Sequence, residues 1–334
     1  MSPRVSVLLP ARNAASTLPS CLESIRRQRK VDFECVVVDD GSSDSTGALA
    51  RRWADCDPRF RVIRGEGRGL VAALQRGLAA CRGRYVARMD ADDWMHRERL
   101  GAQVAALEAD PRLAGVGCHV RIHPRRGLRP GLRDYEVWLR SIDSARAVRR
   151  ERWIECPLPH PSWMLRAQVM AAAGYRDRGW PEDYDLLLRI LESGASVGVV
   201  PRRLLGWRDG AERHWRTHPA YTPERFLACK AHYLARGPLR HGEAYALWGY
   251  GETGKSLRRA LASEGRMPGY IVEVHPRRVG ERIHGAPVVR PEQLPSLPRL
   301  PIVTAVSGAF ARGEIRAQLL RLGFREEVDF WCAA

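Results

Sequence analysis

"RYVARMDADDW" spans residues 84–94 and changes character in its middle. Tyr85, Val86, Ala87 and Met89 read as a short buried strand, and in the run Asp90, Asp92, Asp93 that follows a D-x-D places two carboxylates close together on a turn. Neighbouring carboxylates resist ionising together unless a positive group compensates them. A divalent cation does so, and Mg²⁺ or Mn²⁺ prefers oxygen ligands shared with phosphate oxygens. An acidic pair in a loop is more often a solvated turn, so the reading depends on what surrounds this one.

Upstream, apolar strands alternate with amphipathic helices. "RVSVLLP" (4–10), "FECVVVDD" (33–40), "FRVIR" (60–64) and "RYVARMD" (84–90) read as strands. The second is almost wholly apolar, as for a strand covered on both faces. Between them lie helical patterns: "STLPSCLESIRRQ", with Ser16 or Thr17 as cap, "TGALARRWA", capped by Asp44 or Ser45, and "GLVAALQRGLAAC". The order βαβαβαβ predicts a parallel sheet joined by right-handed crossovers. Polar residues gather at the strand ends, Pro10 to Asn13, Asp39 and Asp40, Arg64, and Asp90. Open α/β sheets bind ligands outside the carboxyl ends of their strands. Four strands therefore point at one crevice. Beyond it a helix (97–110), a strand (115–122), a basic loop (123–134) and a helical segment (135–153) lead to "HPSWMLR" (160–166).

Four blocks now stand in order: "VSVLLPARNAASTLPSCLESI", "CVVVDDGSSDST", "GLVAALQRGLAACRGRYVARMDADD" and "PEDYDLLLRILESG". Together they resemble a family 2 glycosyltransferase with the GT-A fold, over about residues 3 to 210. The resemblance implies inverting transfer of a sugar from a nucleotide donor, usually UDP-linked, to an acceptor hydroxyl. Asp39 or Asp40 would accept hydrogen bonds from the base and ribose; the alternative for Asp40 is that it caps the turn before the next helix. The Pro10–Ala11–Arg12 backbone would flank the uracil; Arg12 stands where the family often has an aromatic residue, and its planar face can stack. Asp90 would hold ribose or metal, and Asp92 the metal bridging the diphosphate. Asp183 is the expected general base, with Glu182 binding the acceptor or supporting the loop. Two carboxylates opening a helix are also favoured by its dipole alone. His160 and Arg88 fit positions near acceptor and diphosphate. Asp209 or His214 in "WRDGAERHW" could complete the metal shell, and the sequence does not choose between them.

Around 215–240 the pattern changes. A GT-A domain over 1–225 is expected, then a connecting helix over 226–241, then a small Rossmann-like α/β domain over 242–334. The last opens on "WGYGETGKSLRRAL" from Trp248, which satisfies both G-x-G-x-x-G and G-x-x-x-x-G-K-S. A phosphate loop of an NTPase needs a later strand ending in Asp for its Mg²⁺ shell. "GYIVEV" and "PIVTAV" do not supply one, so that reading fails. The dinucleotide reading fares better: Gly249, Gly251 and Gly254 make the turn, and Glu273 lies where a ribose-binding acid is expected. The segment 273–295 resembles a Rossmann-like module appended to some sugar-modifying enzymes. It would either bind a nucleotide or keep the fold after losing the site.

Composition adds limits. The formal charge of +17 is almost all arginine, the lysines being Lys30, Lys230 and Lys255. Such a field attracts anionic membranes and anionic substrates; no basic helix or aromatic-basic motif points to nucleic acid. The eight cysteines are scattered, as in a reducing compartment. No apolar run is long enough to span a bilayer, which places the chain in the cytoplasm or at the inner face of a membrane. Expected partners are a nucleotide-sugar donor and a glycan or lipid-linked acceptor. Two rival readings stand beside this one. A nucleotidyltransferase would carry a G-x-G-T-R-x-x-P-type loop where this chain has "PARNAAST". A nucleotide-binding scaffold would act through the C-terminal module alone.

Overall fold

The computed structural model describes residues 2–210 and 213–334, with only the backbone at 214 and 215. The chain divides into two compact units.

The first holds the residues through Arg149, Pro157–Arg178 and Glu182–Thr217. Its strands are β1 (Val5–Ala11), β2 (Phe33–Asp39), β3 (Phe60–Arg64), β4 (Tyr85–Arg88), β5 (Trp94–Met95), β6 (Leu113–His123), β7 (Met164–Arg166) and β8 (Ser196–Arg208). Its helices are α1 (Leu18–Arg26), α2 (Thr46–Cys56), α3 (Leu70–Ala80), α4 (Arg99–Ala109), α5 (Pro130–Ser141), α6 (Ala145–Glu151, whose last residues join the second unit), α7 (Ala167–Ala173), α8 (Glu182–Glu192) and α9 (His214–Thr217). The strands form one sheet in the order β3-β2-β1-β4-β7-β6-β8-β5. β1 through β4 pair in parallel, as the alternation predicts. β7 runs antiparallel to both β4 and β6, so the sheet is mixed.

All seven residues of β1 are buried. Helices on both sides explain its apolar run. The register places Ala11 beside Asp39 and Asp39 beside Arg64, which brings the carboxyl ends of β1, β2 and β3 level.

Three features depart from the sequence reading. The basic stretch 123–134 becomes helix from Pro130, whose ring occupies the first helical position. The helical pattern beyond it breaks at Ile142, and Ser144 restarts it by accepting the Ala147 N–H on its hydroxyl. Strand β8 has no clean alternation, because "PRR" interrupts it at Pro201–Arg203; the β6–β8 register shifts opposite this point, at Cys118–Val120.

The second unit comprises Arg150–Cys156, Gly179–Pro181 and His218–Ala334. It holds α10 (Pro223–Arg236), β9 (Ala244–Trp248), α11 (Glu252–Ser263), β10 (Met267–Val272), β11 (Arg282–Ile283), β12 (Ala286–Val289), β13 (Ile302–Thr304), α12 (Ala309–Arg321) and β14 (Phe330–Cys332). The sheet order is β11-β12-β10-β9-β13-β14, parallel except at β11. Ala246, Trp248, Val272, Ile302, Leu319 and Phe330 form its core. The buried Lys230 ammonium donates to the carbonyls of Ile154 and Ala333 at 3.0 and 2.7 Å, pinning a returning segment and the chain end.

The glycine turn at β9 is explained by packing. Gly249 has φ +92, a conformation side chains rarely adopt, and a Cβ on Gly254 would lie 2.0 Å from the Gly249 carbonyl oxygen. Gly251 faces open space. Glu273 accepts from the amides of Val274 (2.9 Å) and Tyr250 (3.4 Å) and pairs with Arg278 at 3.4 Å. The expected ribose-binding acid is thus engaged by its own loop.

Candidate active site

The turn after β4 is held from both ends. β4 is hydrogen-bonded to its neighbours up to Arg88, and the short β5 ties Trp94 to Gly206 of β8. The Asp93 amide closes the turn on the Asp90 carbonyl at 3.2 Å. As a result, one carboxylate oxygen from each of Asp90, Asp92 and Asp93 lies within 4.8 Å of the others. A trio of hard oxygen donors at this spacing suits Mg²⁺ or Mn²⁺. One oxygen of Asp93, Oδ2, is buried without a hydrogen-bond partner among the described residues.

The three acids do not share one environment. Burial raises the Asp90 pKa, but Arg88 and Arg213 outweigh it and hold this carboxyl at about 2. Asp92 is raised by burial and by the Asp90 charge. Asp93 is raised well above the carboxylate range, first by burial and then by its two acidic neighbours, against the pull of Arg213. Sequence reasoning points to Asp90 and Asp92 as metal ligands and passes over Asp93, which the turn brings into the same group. It also misses Arg213, because nothing in "AERHW" distinguishes one arginine among so many. The charge imbalance of three acids against Arg88 alone is the one available hint.

Asp209 does not join the cluster; it pairs with Arg216 at 2.8 Å. The side chain of His214 lies outside the described residues.

At the end of β2 the two aspartates part company. Both oxygens of the buried Asp40 are used, accepting the amides of Gly67 and Gly69 at 3.0 and 2.9 Å. Asp40 therefore clamps the loop before α3, the turn-holding alternative to a donor contact. Asp39 is half-buried and accepts one amide, from Ser42, at 3.1 Å. Pro10 and Ala11 lie in the buried end of β1, while Arg12 is exposed. Asn13, at φ +48, joins the two loops by accepting the Ser43 amide at 2.9 Å and donating its own to the Ser42 hydroxyl at 3.0 Å.

A second acidic group opens α8. Glu182 and Asp183 are its first residues. Burial pushes the Asp183 carboxyl up to about 8, and the neighbouring Glu182 charge adds to the shift. His160 is buried between partners: Nε2 lies 2.9 Å from the Tyr175 hydroxyl and Nδ1 lies 3.6 Å from Glu182 Oε1. Its pKa is lowered by burial and by Arg88, with Glu182 opposing. Arg88, itself buried, pairs with Asp90 at 2.5 Å and is also attracted by Glu182. The predicted residues Arg88, Asp90, His160 and Glu182 thus form one electrostatic neighbourhood.

Comparison with known proteins agrees with this fold. The model of Glycosyl transferase family 2 matches residues 6–172. Amylovoran biosynthesis glycosyltransferase AmsE of Erwinia amylovora is 32% identical over 210 residues, covering 62% of this chain and 76% of AmsE. Putative glycosyltransferase EpsE of Bacillus subtilis is 32% identical over 238 residues, covering 68% of this chain and 82% of EpsE, whereas Bacillus subtilis EpsH is matched over 27% of its length. Among solved structures, S. aureus TarS 1-349 in complex with UDP-GlcNAc aligns with a TM-score of 0.55 and 16% identity over 79% of this chain and 71% of that one. The mannosyltransferase PcManGT of Pyrobaculum calidifontis, in complex with GDP-Man and Mn²⁺, gives 0.53 and 22% over 79% and 70%. Among the described residues no helix is long and apolar enough to cross a membrane. A family match over half the chain, on a sheet whose carboxyl edge carries these acids, makes this chain a member of glycosyltransferase family 2.

Proposed function

We propose that this chain is a divalent-metal-dependent, inverting glycosyltransferase that moves a sugar from a UDP-sugar to an acceptor hydroxyl in the assembly of a surface polysaccharide or glycoconjugate. The observation that carries the reading is the trio Asp90, Asp92 and Asp93, with ligand oxygens within 4.8 Å. The AmsE relative supports the pathway class, and the UDP-GlcNAc complex of TarS supports the donor class.

In this reading Asp90, Asp92 and Asp93 would hold Mg²⁺ or Mn²⁺, whose chemistry is to neutralise charge developing on the departing diphosphate. Asp39 receives the base or ribose. Asp183 accepts the proton of the acceptor hydroxyl while that oxygen bonds to the anomeric carbon. The carbon–oxygen bond to the diphosphate breaks on the opposite face, and the nucleoside diphosphate leaves with the electron pair. A base with pKa near the working pH combines strength with availability, which suits a carboxyl raised to about 8. Glu182 and His160 position that base, and Arg88 holds Asp90.

The test is UDP release from a panel of nucleotide sugars with Mn²⁺, together with the anomeric configuration of any product. Asp92→Ala should abolish release, and Asp183→Asn should abolish transfer while leaving UDP binding within about three-fold. Retained configuration, or full activity in Asp92→Ala, overturns the proposal.

A further inference from the structure

Among the described residues, one guanidinium reaches all three acids of the trio. Arg213 places Nη2 2.8 Å from Asp90 Oδ2, Nη1 3.2 Å from Asp93 Oδ1 and Nε 3.5 Å from Asp92 Oδ2. Each of its three nitrogens faces a different carboxylate. The side chain is 8% exposed, lies over the Trp207 ring at 5.2 Å, and donates to the Arg208 carbonyl. Surface ion pairs join one cation to one anion and hold it loosely. This one is buried, three-fold and braced.

The charges show what the arrangement leaves undone. Ligation of a metal requires all three acids ionised, and Arg88 and Arg213 together would then leave the cluster one charge negative. Asp93 Oδ2, buried, has no hydrogen-bond donor among the described residues. A divalent ion in place of the guanidinium would bring the balance to neutral.

We propose that Arg213 is the resident cation of this site, occupying the position of the divalent ion in the metal-free protein and yielding it on loading. The inference rests on the metal-dependent reading above and adds its regulation. An ion entering alone must displace three ion pairs. An ion entering with a nucleoside diphosphate is helped, because the diphosphate brings negative charge enough for both the ion and the released guanidinium. Metal and nucleotide therefore bind with positive coupling, and Arg213 is the residue that creates it.

The test is calorimetric titration of Mn²⁺ into the full chain, with and without UDP, for wild type, Arg213→Gln and Arg213→Lys. In wild type, Mn²⁺ should bind weakly alone and at least about ten-fold more tightly with UDP. Arg213→Gln should bind Mn²⁺ alone about ten-fold more tightly than wild type and lose most of the UDP dependence. Arg213→Lys, one ammonium in place of three nitrogens, should fall between. Should the glutamine variant fail to fold, wild type supplies the readout. The Arg213 Nε–H, followed by nitrogen-15 NMR, should be protected from exchange without metal and lose that protection with Mg²⁺ and UDP. Equal or weaker Mn²⁺ binding by the variants, or unchanged Nε–H protection, overturns the role of Arg213. Failure of wild type to bind Mn²⁺ even with UDP overturns the metal reading itself, and this inference with it.

Discussion

Arg88 and Asp90 meet at 2.5 Å, Nη1 to Oδ1, at the end of one strand. That contact joins two acidic groups that lie far apart in sequence. On one side Asp90 belongs to the trio on the turn; on the other, the same buried guanidinium lowers the pKa of Asp183. A change at the opening of α8 should therefore be read in the pH dependence of catalysis.

The Asp183 carboxyl stands at about 8, through burial first and Glu182 second. A general base works deprotonated, so kcat/KM should rise with pH and level off above about 8. Removing the Glu182 charge removes one of the raising causes. In Glu182→Gln the rising limb should move to lower pH, by about half a unit or more. A pH profile taken at saturating Mn²⁺ checks this; a limb that stays in place or moves to higher pH contradicts the assignment of Asp183 as base.

The same shift has a consequence for stability. A carboxyl whose folded pKa exceeds its unfolded value of about 3.9 binds more protons folded than unfolded between the two values. Stability is then lost as pH rises through that window. Asp183→Asn removes the titration, so its melting temperature should exceed that of wild type at pH 7 to 8 in EDTA. The difference should shrink toward pH 4. Thermal melts across that range decide it, and a variant less stable than wild type at pH 8 would falsify the argument.

Adjacent aspartates at the end of β2 should behave oppositely. Asp40 satisfies two buried loop amides, and Asp40→Ala orphans both. Hydrogen bonds to charged groups contribute about 1.5–3 kcal/mol each, so a loss of roughly 3 kcal/mol is expected, measured by denaturant melts. Asp39→Asn can keep its one bond to Ser42 and should change stability by less than about 1 kcal/mol. Its effect should appear instead in the donor KM, raised about ten-fold or more.

Much of the fold was legible because its strands are apolar where helices cover both faces and its helices are amphipathic; β1 to β4 follow from periodicity alone. β8 was not, because Pro201 and two arginines erase the alternation that signals a strand. At the site, the D-x-D spacing pointed to Asp90 and Asp92, and only the resemblance to the family pointed to Asp183. It could not separate Asp39 from Asp40, since that difference lies in which loop amides fold back onto each side chain. Arg213 was illegible for a related reason. Its role comes from a contact across 123 residues with Asp90, and no local pattern marks it.

The glycine turn of the second unit allows the roles of its residues to be separated by substitution. A Cβ at Gly254 would stand 2.0 Å from the Gly249 carbonyl oxygen, a backbone atom that cannot step aside without moving β9 or α11. Gly254→Ala should therefore cost about 1–3 kcal/mol or more and lower the melting temperature of the full chain. Gly251 has φ −74, and a methyl group there would meet nothing within 4 Å, so Gly251→Ala should cost less than about 1 kcal/mol. Denaturant melts of the two variants measure the contrast. Equal losses at both positions would mean that the turn is strained throughout; a large loss at Gly254 alone would mean that its third glycine serves the packing of helix on strand.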